Sequence, residues 1–293
     1  MKLTVTLPFR PDISKFLYRH GSRKTLALFL LIFFIQINSG CSRSSDVKSI
    51  EIEIWNNGSL LDCNAFESDE QVWSIKQFAF FISNVKLSNE NNENQPKLSS
   101  TPWQTDDVAL IQPHLAECSA KLNVESKIEQ NEPVVPERLK TNNRLQFLTP
   151  VDLESLEQLS FTLAVPFELN HQNPLLQPSP LNLPTMFWSW RSGHKFFRLD
   201  LQSPSKNWVF HLGSVGCKAT STMRPAQGEC LQPNRVSFYL GKKYNGTKLV
   251  MHLDRLIKNT SMQNNDSCLF HSGQQNCNIL MLNLKIQDVF EWH

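Results

Sequence analysis

The sequence predicts an all-β protein, an antiparallel β-sandwich with long loops stapled by disulfides. Three observations predict it. Short segments alternate apolar and polar residues, as in Ile50-Glu51-Ile52-Glu53-Ile54-Trp55, which is the period of a half-buried strand. No stretch carries a sustained helical period, and turn signals separate many short strand-like runs. Six cysteines (Cys63, Cys118, Cys217, Cys230, Cys268 and Cys277) follow a leader of the export type, and export places thiols in an oxidising compartment.

That leader occupies residues 1–40. Lys2, Arg10, Lys15, Arg19, Arg23 and Lys24 stand against a single acid, Asp12, and Leu26 to Ile37 then supplies about twelve mostly apolar residues. A basic start and an apolar run this short make a signal peptide, not a membrane span. Asn38-Ser39-Gly40-Cys41 resembles a lipoprotein cleavage box, although Asn38 stands where leucine is usual. A plain secretory signal is the alternative. A lipid on Cys41 also explains the odd total of seven cysteines, leaving six to pair. Sequence alone allows fifteen pairings of six cysteines. The close spacings favour Cys217 with Cys230 and Cys268 with Cys277, which leaves Cys63 with Cys118.

The net charge of +2 belongs to the leader. Residues 1–40 hold six of the 29 basic residues and one of the 27 acids, so the remainder carries 23 against 26, a net of −3. No basic patch argues for nucleic acid.

Residues 41–48 read as a polar tether, and 49–293 as one domain. Asn57-Gly58 signals a turn. Residues 71–87 (QVWSIKQFAFFISNVKL) are aromatic and β-branched, enough for one or two strands. Residues 88–107 read as a surface loop, 108–111 as a buried strand, and 121–143 as an exposed connection. Residues 150–156 read as one helical turn with Asp152 as cap, and 159–165 return to strand. The proline run 173–184 excludes helix and central strand. Residues 195–201 and 208–212 read as strands paired around Ser203–Asn207. Residues 235–240 and 248–253 read as a hairpin turning at Asn245-Gly246, 253–257 as a short helix, and Ile279–Ile286 as a final strand.

Motifs for covalent haem, zinc hydrolysis, the serine nucleophile elbow and phosphate cradling are absent. The segment Val165 to Cys217 instead crowds histidine, tryptophan and proline, including His171, His194, His211, Trp188, Trp190 and Trp208. Neutral imidazoles with soft neighbours suit copper. His171 and His211 brought together across a sandwich would make a low-coordinate Cu(I) site. The plainer alternative is a hydrogen-bonded core histidine beside packed tryptophans.

Several blocks carry a resemblance. They are NH at 170–171, PLN at 180–182, MFWSWRSGHKFFRLDL at 186–201, FHLGSVGC at 210–217 and CLQPNRVSF at 230–238. Together with FAFFISNVKL and WQTDDVALI they resemble the MbnP-like family across most of residues 48–286. That family is the copper-binding partner found with methanobactin operons, also described as the four-cysteine protein of metallo-mystery pair systems. The resemblance implies a non-catalytic periplasmic copper protein, here expected to be lipid-anchored on the periplasmic side of a bacterial membrane, the outer one. It implies a partner of the dihaem cytochrome c peroxidase type (MbnH-type) that oxidises a tryptophan to kynurenine. The related MopE-type proteins hold copper with two histidines and a kynurenine. Carried onto this chain, His171 and His211 become the ligands, and Trp188 or Trp190 the oxidised residue. Opening the indole turns a donor-only group into an aryl amine beside a ketone. The chain departs from the family at His194, where tyrosine is usual, and at Gln112-Pro113-His114, where an acidic segment is common. Both of these histidines are expected to be exposed. Two other classes remain open. One is a carbohydrate-binding module stacking sugars on Trp188, Trp190 and Trp208. The other is a copper redox enzyme, which needs an open coordination position and a substrate pocket.

Overall fold

The computed structural model describes residues 47–293 except 69, 91, 117–140, 154, 245, 264–265, 270–273 and 287. Ser45–His293 form one compact unit, built from two sheets packed face to face. The expected tether at 41–48 and the connection at 121–143 lie wholly or mostly outside the described residues, as do the leader, Cys41 and Cys118.

The first sheet is built on β1 (Val47–Asn56). Its alternation works as expected: Ile50, Ile52 and Ile54 are all at most 2% exposed. Asn57 and Gly58 both take positive φ and turn the chain into β2 (Ser59–Leu60). Along its other pairings β1 meets β7 (Arg144–Val151) antiparallel and β13 (Lys248–His252) parallel, and β14 (Phe290–Trp292) closes the edge beside β13.

The second sheet is organised by β4 (Gln71–Asn89), one continuous strand of 19 residues. Its length lets it change neighbours. It pairs with β3 (Ala65–Ser68) and β10 (Gly193–Gln202) over its first part, then with β6 (Val108–Ile111) and β8 (Gln158–Leu163), and last with β5 (Asn92–Asn94). Asn84 at positive φ lies within the register shift between Ser83 and Lys86, the signature of a bulge. Beyond β10 lies β11 (Asn207–Gly213), joined by the expected hairpin with Gln202 opposite Asn207. β9 (Phe187–Ser189) adds to the start of β10, and β12 (Val236–Gly241) flanks β8.

Aromatic rings join the two sheets. Phe80 stacks on Phe197 at 5.6 Å and Phe161 on Phe238 at 5.2 Å. Phe290, from the first sheet, meets Phe80, Phe161 and Phe238 edge-on at 4.8–5.8 Å. Such pairs contribute about 0.5–1.5 kcal/mol each beyond their buried area.

Three elements differ from the sequence reading. The expected final strand Ile279–Ile286 is part of a helix, Gln275–Lys285. Its buried face is Asn276, Cys277, Leu280, Asn283 and Leu284, a helical spacing, while Leu282 and Ile286 are exposed. A short apolar run does not reveal that period. The expected hairpin of 235–240 with 248–253 does not form: β12 bonds to β8 and β13 to β1, so the chain crosses between sheets. Pro150 and Val151 end β7, and the described residues of 152–156, with Leu153 and Leu156 buried, contain no helix where a helical turn was expected. The short helix after β13 is present, as Leu253–Leu256. Cys217 is bonded to Cys230 and Cys268 to Cys277. Cys63 is also disulfide-bonded.

Candidate metal centre

His171 follows a one-turn helix, α1 (Phe167–Asn170). Pro166 opens that turn with its fixed φ, an orientation suited to a helix start. The turn brings Asn170 inward, where it is 1% exposed and organises its surroundings. Its Oδ1 accepts from the His194 backbone N–H at 2.7 Å and lies 3.3 Å from His194 Nδ1. Its Nδ2 donates toward His171 Nε2 at 3.2 Å and toward the Ser192 carbonyl at 3.4 Å. Gly193 makes this approach feasible. It sits at φ +78°, and a Cβ there would lie 2.4 Å from the Asn170 amide.

With Oδ1 held by the His194 N–H, the amide group faces His171, which assigns the lone pair of His171 to Nε2. Beyond that nitrogen, Cys230 Sγ lies 3.7 Å away. Nδ1 is buried and makes no hydrogen bond of good geometry. The Trp190 backbone lies near the imidazole, and Phe167 covers the ring at 4.9 Å. Burial pushes the imidazole's pKa down, with Arg235 helping and the Trp190 backbone and Glu229 opposing. His171 is therefore neutral at pH 7 and only weakly bonded at its lone pair, the form in which an imidazole binds a metal.

The expected exposure of His194 is overturned. The residue is fully buried. Nε2 donates to the Leu181 carbonyl at 2.8 Å, and Phe81 and Phe187 meet the ring edge-on. Burial lowers its pKa too. A glycine before it and an Asn 24 residues away make the pocket, which a local reading cannot see. His114 is exposed, as expected.

His211 lies on β11 opposite Arg198. Nε2 donates to Asp200 Oδ1 at 2.6 Å, and Arg198 Nε bonds Asp200 Oδ2 at 2.9 Å. Burial works to raise the Asp200 pKa, but the bonds from His211 and Arg198 and their charges outweigh it, and the net shift is downward. A carboxylate on one imidazole nitrogen leaves the other free and oriented, the usual support of a ligating histidine. His211 and His171 do not belong to one group of three or more: among the described residues, the three histidine, cysteine or carboxylate side chains that converge within 4.8 Å of one another are His171, Cys217 and Cys230. Trp188 is 37% exposed and Trp190 half-buried. Trp208 is fully buried and donates its N–H to the Ser261 carbonyl at 3.1 Å, so it offers no face for stacking a sugar.

Sequence reasoning missed Asn170 as an organiser, and the contact of Cys230 with His171. It also missed a second histidine cluster at the far edge of the first sheet. There Glu291 gathers His252, His293, Arg255 and Lys243, and Trp55 packs against both imidazoles. These are contacts between distant segments, and no local signal marks them.

Comparison with known proteins completes the assignment. Nothing matches among curated proteins. A solved structure, MbnP from Methylosinus trichosporium, superposes with a TM-score of 0.59 at 17% identity, covering 80% of this chain and 86% of that one. At that identity it shows a shared fold. A family profile, MbnP, matches residues 45–275. With that profile spanning most of the domain, the chain belongs to the MbnP family.

Proposed function

We propose that this protein holds copper outside the cytoplasm and has no catalysis of its own. Family membership supports the association with copper. His171 is the observation that carries the reading: a buried, neutral imidazole with a weakly bonded Nε2, set beside the backbone of the Trp188-Ser189-Trp190 segment. His211, oriented by Asp200, is the second proposed ligand. Trp188 or Trp190 is the residue that a dihaem cytochrome c peroxidase-like partner would oxidise to kynurenine, and the exposure of Trp188 gives such a partner access. The reading includes a lipid on Cys41 that anchors the protein on the periplasmic side of a bacterial membrane, and a role in copper uptake, storage or delivery. Among the described residues no helix is long and apolar enough to cross a membrane.

Copper titration of the purified, disulfide-intact protein tests the reading. One equivalent per chain is expected, with most of it lost in His171→Ala and in His211→Ala. Unchanged stoichiometry in the double variant overturns the ligand assignment. Peptide mapping of protein co-produced with the partner locates the modification as a gain of one oxygen and loss of one carbon at Trp188 or Trp190.

A further inference from the structure

Beyond the Asn170 amide, the His171 lone pair faces a disulfide sulfur, not a second histidine. Cys230 Sγ stands 3.7 Å from Nε2, and one ligand atom from each of His171, Cys217 and Cys230 lies within 4.8 Å of the others. All three residues are buried. The Cα atoms of the two cysteines are 4.0 Å apart, so their side chains stay together whether or not the sulfurs are bonded. We propose that the Cys217–Cys230 disulfide masks a thiolate metal site, completed by His171 and opened by a dithiol reductant.

The chemistry balances with that reductant. One of its thiolates attacks a disulfide sulfur, the Cys217–Cys230 bond breaks and a mixed disulfide forms. Its second thiol resolves the mixed disulfide. The reductant leaves oxidised by two electrons, and two cysteine thiols remain. Metal binding then releases the thiol protons to water.

The geometry suits the reduced state. A tetrahedral centre with sulfur arms of about 2.3 Å and a nitrogen arm of about 2.0 Å needs a sulfur–nitrogen separation of roughly 3.5 Å, close to the 3.7 Å present. The sulfurs must part by more than a bond length. The segment that has to yield is 218–229, which contains no helix or strand and is largely exposed. The sheets on either side need not move: the Val215–Gln232 bridge holds the base of the loop. Two thiolates and an imidazole select Cu(I) or Zn(II) over hard cations.

This site shares His171 with the copper reading but needs neither the modified tryptophan nor His211, so the two are separable. The test uses full-length protein made without the dihaem partner, carrying Trp188→Phe and Trp190→Phe. Co(II) serves as the spectroscopic probe. After reduction by dithiothreitol and its removal under nitrogen, the protein is expected to bind one Co(II) with thiolate-to-metal charge-transfer absorption. The oxidised protein shows no such band. Cys217→Ser/Cys230→Ser, reduced in the same way, loses the band, and His171→Ala weakens Co(II) binding at least tenfold. A band that persists in the double cysteine variant places the thiolates elsewhere and overturns the proposal. So does a reduced protein, folded by circular dichroism and with free thiols mapped to Cys217 and Cys230, that binds no Co(II). Unfolding before this disulfide opens, seen by alkylation mapping during graded reduction, overturns it as well. Failure of the copper reading appears separately, as oxidised wild-type protein, co-produced with the dihaem partner, that takes up no copper.

Discussion

Two histidine clusters lie on different sheets and are held in opposite ways. Around His171 and His194 the partners are neutral: the Asn170 amide and the carbonyl of Leu181. Around His252 and His293 the partner is charged. Glu291 Oε2 lies 2.8 Å from His293 Nε2 and 3.5 Å from His252 Nε2. Its Oε1 takes Arg255 at 2.6 Å and Lys243 at 3.1 Å. Burial alone would raise the Glu291 pKa, but the bonds from Arg255, His293 and Lys243 reverse that and hold it far below the ordinary carboxylate range. The comparison teaches what a binding histidine needs. Neutral partners leave a lone pair available, and a carboxylate on one nitrogen, as Asp200 is on His211, still leaves the other nitrogen, whereas Glu291 draws two histidines and two cations into one ion-pair network.

The largest effect should come from the glycine that lets the neutral cluster close. Gly193→Ala places a methyl group 2.4 Å from the Asn170 amide at φ +78°. Left-handed strain and overpacking together should cost roughly 3 kcal/mol or more, read as a fall in the denaturation midpoint, and copper capacity should fall with it. Gly58→Ala, also at positive φ but with nothing within 4 Å, should cost only the strain, about 1 kcal/mol. Equal losses in the two variants would break the argument for an interlocked cluster.

Next in size is the contrast between the two organising side chains. Asn170→Ala should weaken copper binding by about 10–100-fold, the usual effect of removing a group that orients a ligand. Glu291→Gln should leave copper binding unchanged and lower stability by about 1–2 kcal/mol, discounted for the exposed ends of its cationic partners. If copper affinity falls in Glu291→Gln as much as in Asn170→Ala, the two clusters are not functionally distinct.

The smallest effect is in the pH profile. His171, His194 and His252 all have pKa values lowered from 6.5, chiefly by burial. The unfolded chain therefore takes up these protons first. Their contribution is complete above pH 6.5 and is lost as pH falls toward the folded values. Glu291 acts lower: its contribution is present above 4.5, its ordinary value, and is lost as pH falls below it. Denaturant titrations across pH should show both declines in the wild-type protein and a smaller second decline in Glu291→Gln, where Asp200 and Glu53, also lowered, still contribute.

Much of the fold is legible in the chain because alternation reports burial directly. Ile50, Ile52 and Ile54 point inward as their spacing requires, and Val108–Ile111 is buried throughout, as a continuous apolar run implies. What is not legible depends on distant partners. Nothing near β12 says that its hydrogen bonds go to β8, nor near β13 that they go to β1. The helix at Gln275–Lys285 shows its face only once Cys277 is tied to Cys268 and Asn283 donates to the Leu256 and Lys258 carbonyls. In the site, His171 stands out in the sequence. The amide that orients it is its own neighbour, but the glycine and histidine that hold that amide lie more than twenty residues on.

The parallel pairing of β1 with β13 has a temporal consequence. Glu51 pairs with Lys248 and Trp55 with His252, so a chain delivered from its N-terminus exposes one of its most regular strands from the start and offers it this partner almost at the end. Contacts of such separation form late and slow the whole process. In the meantime Ile50, Ile52 and Ile54 remain a bare edge on which a second copy could pair. A nascent molecule halted before residue 248 would be unable to close its first sheet, and protecting that edge would fall to whatever holds the emerging polypeptide.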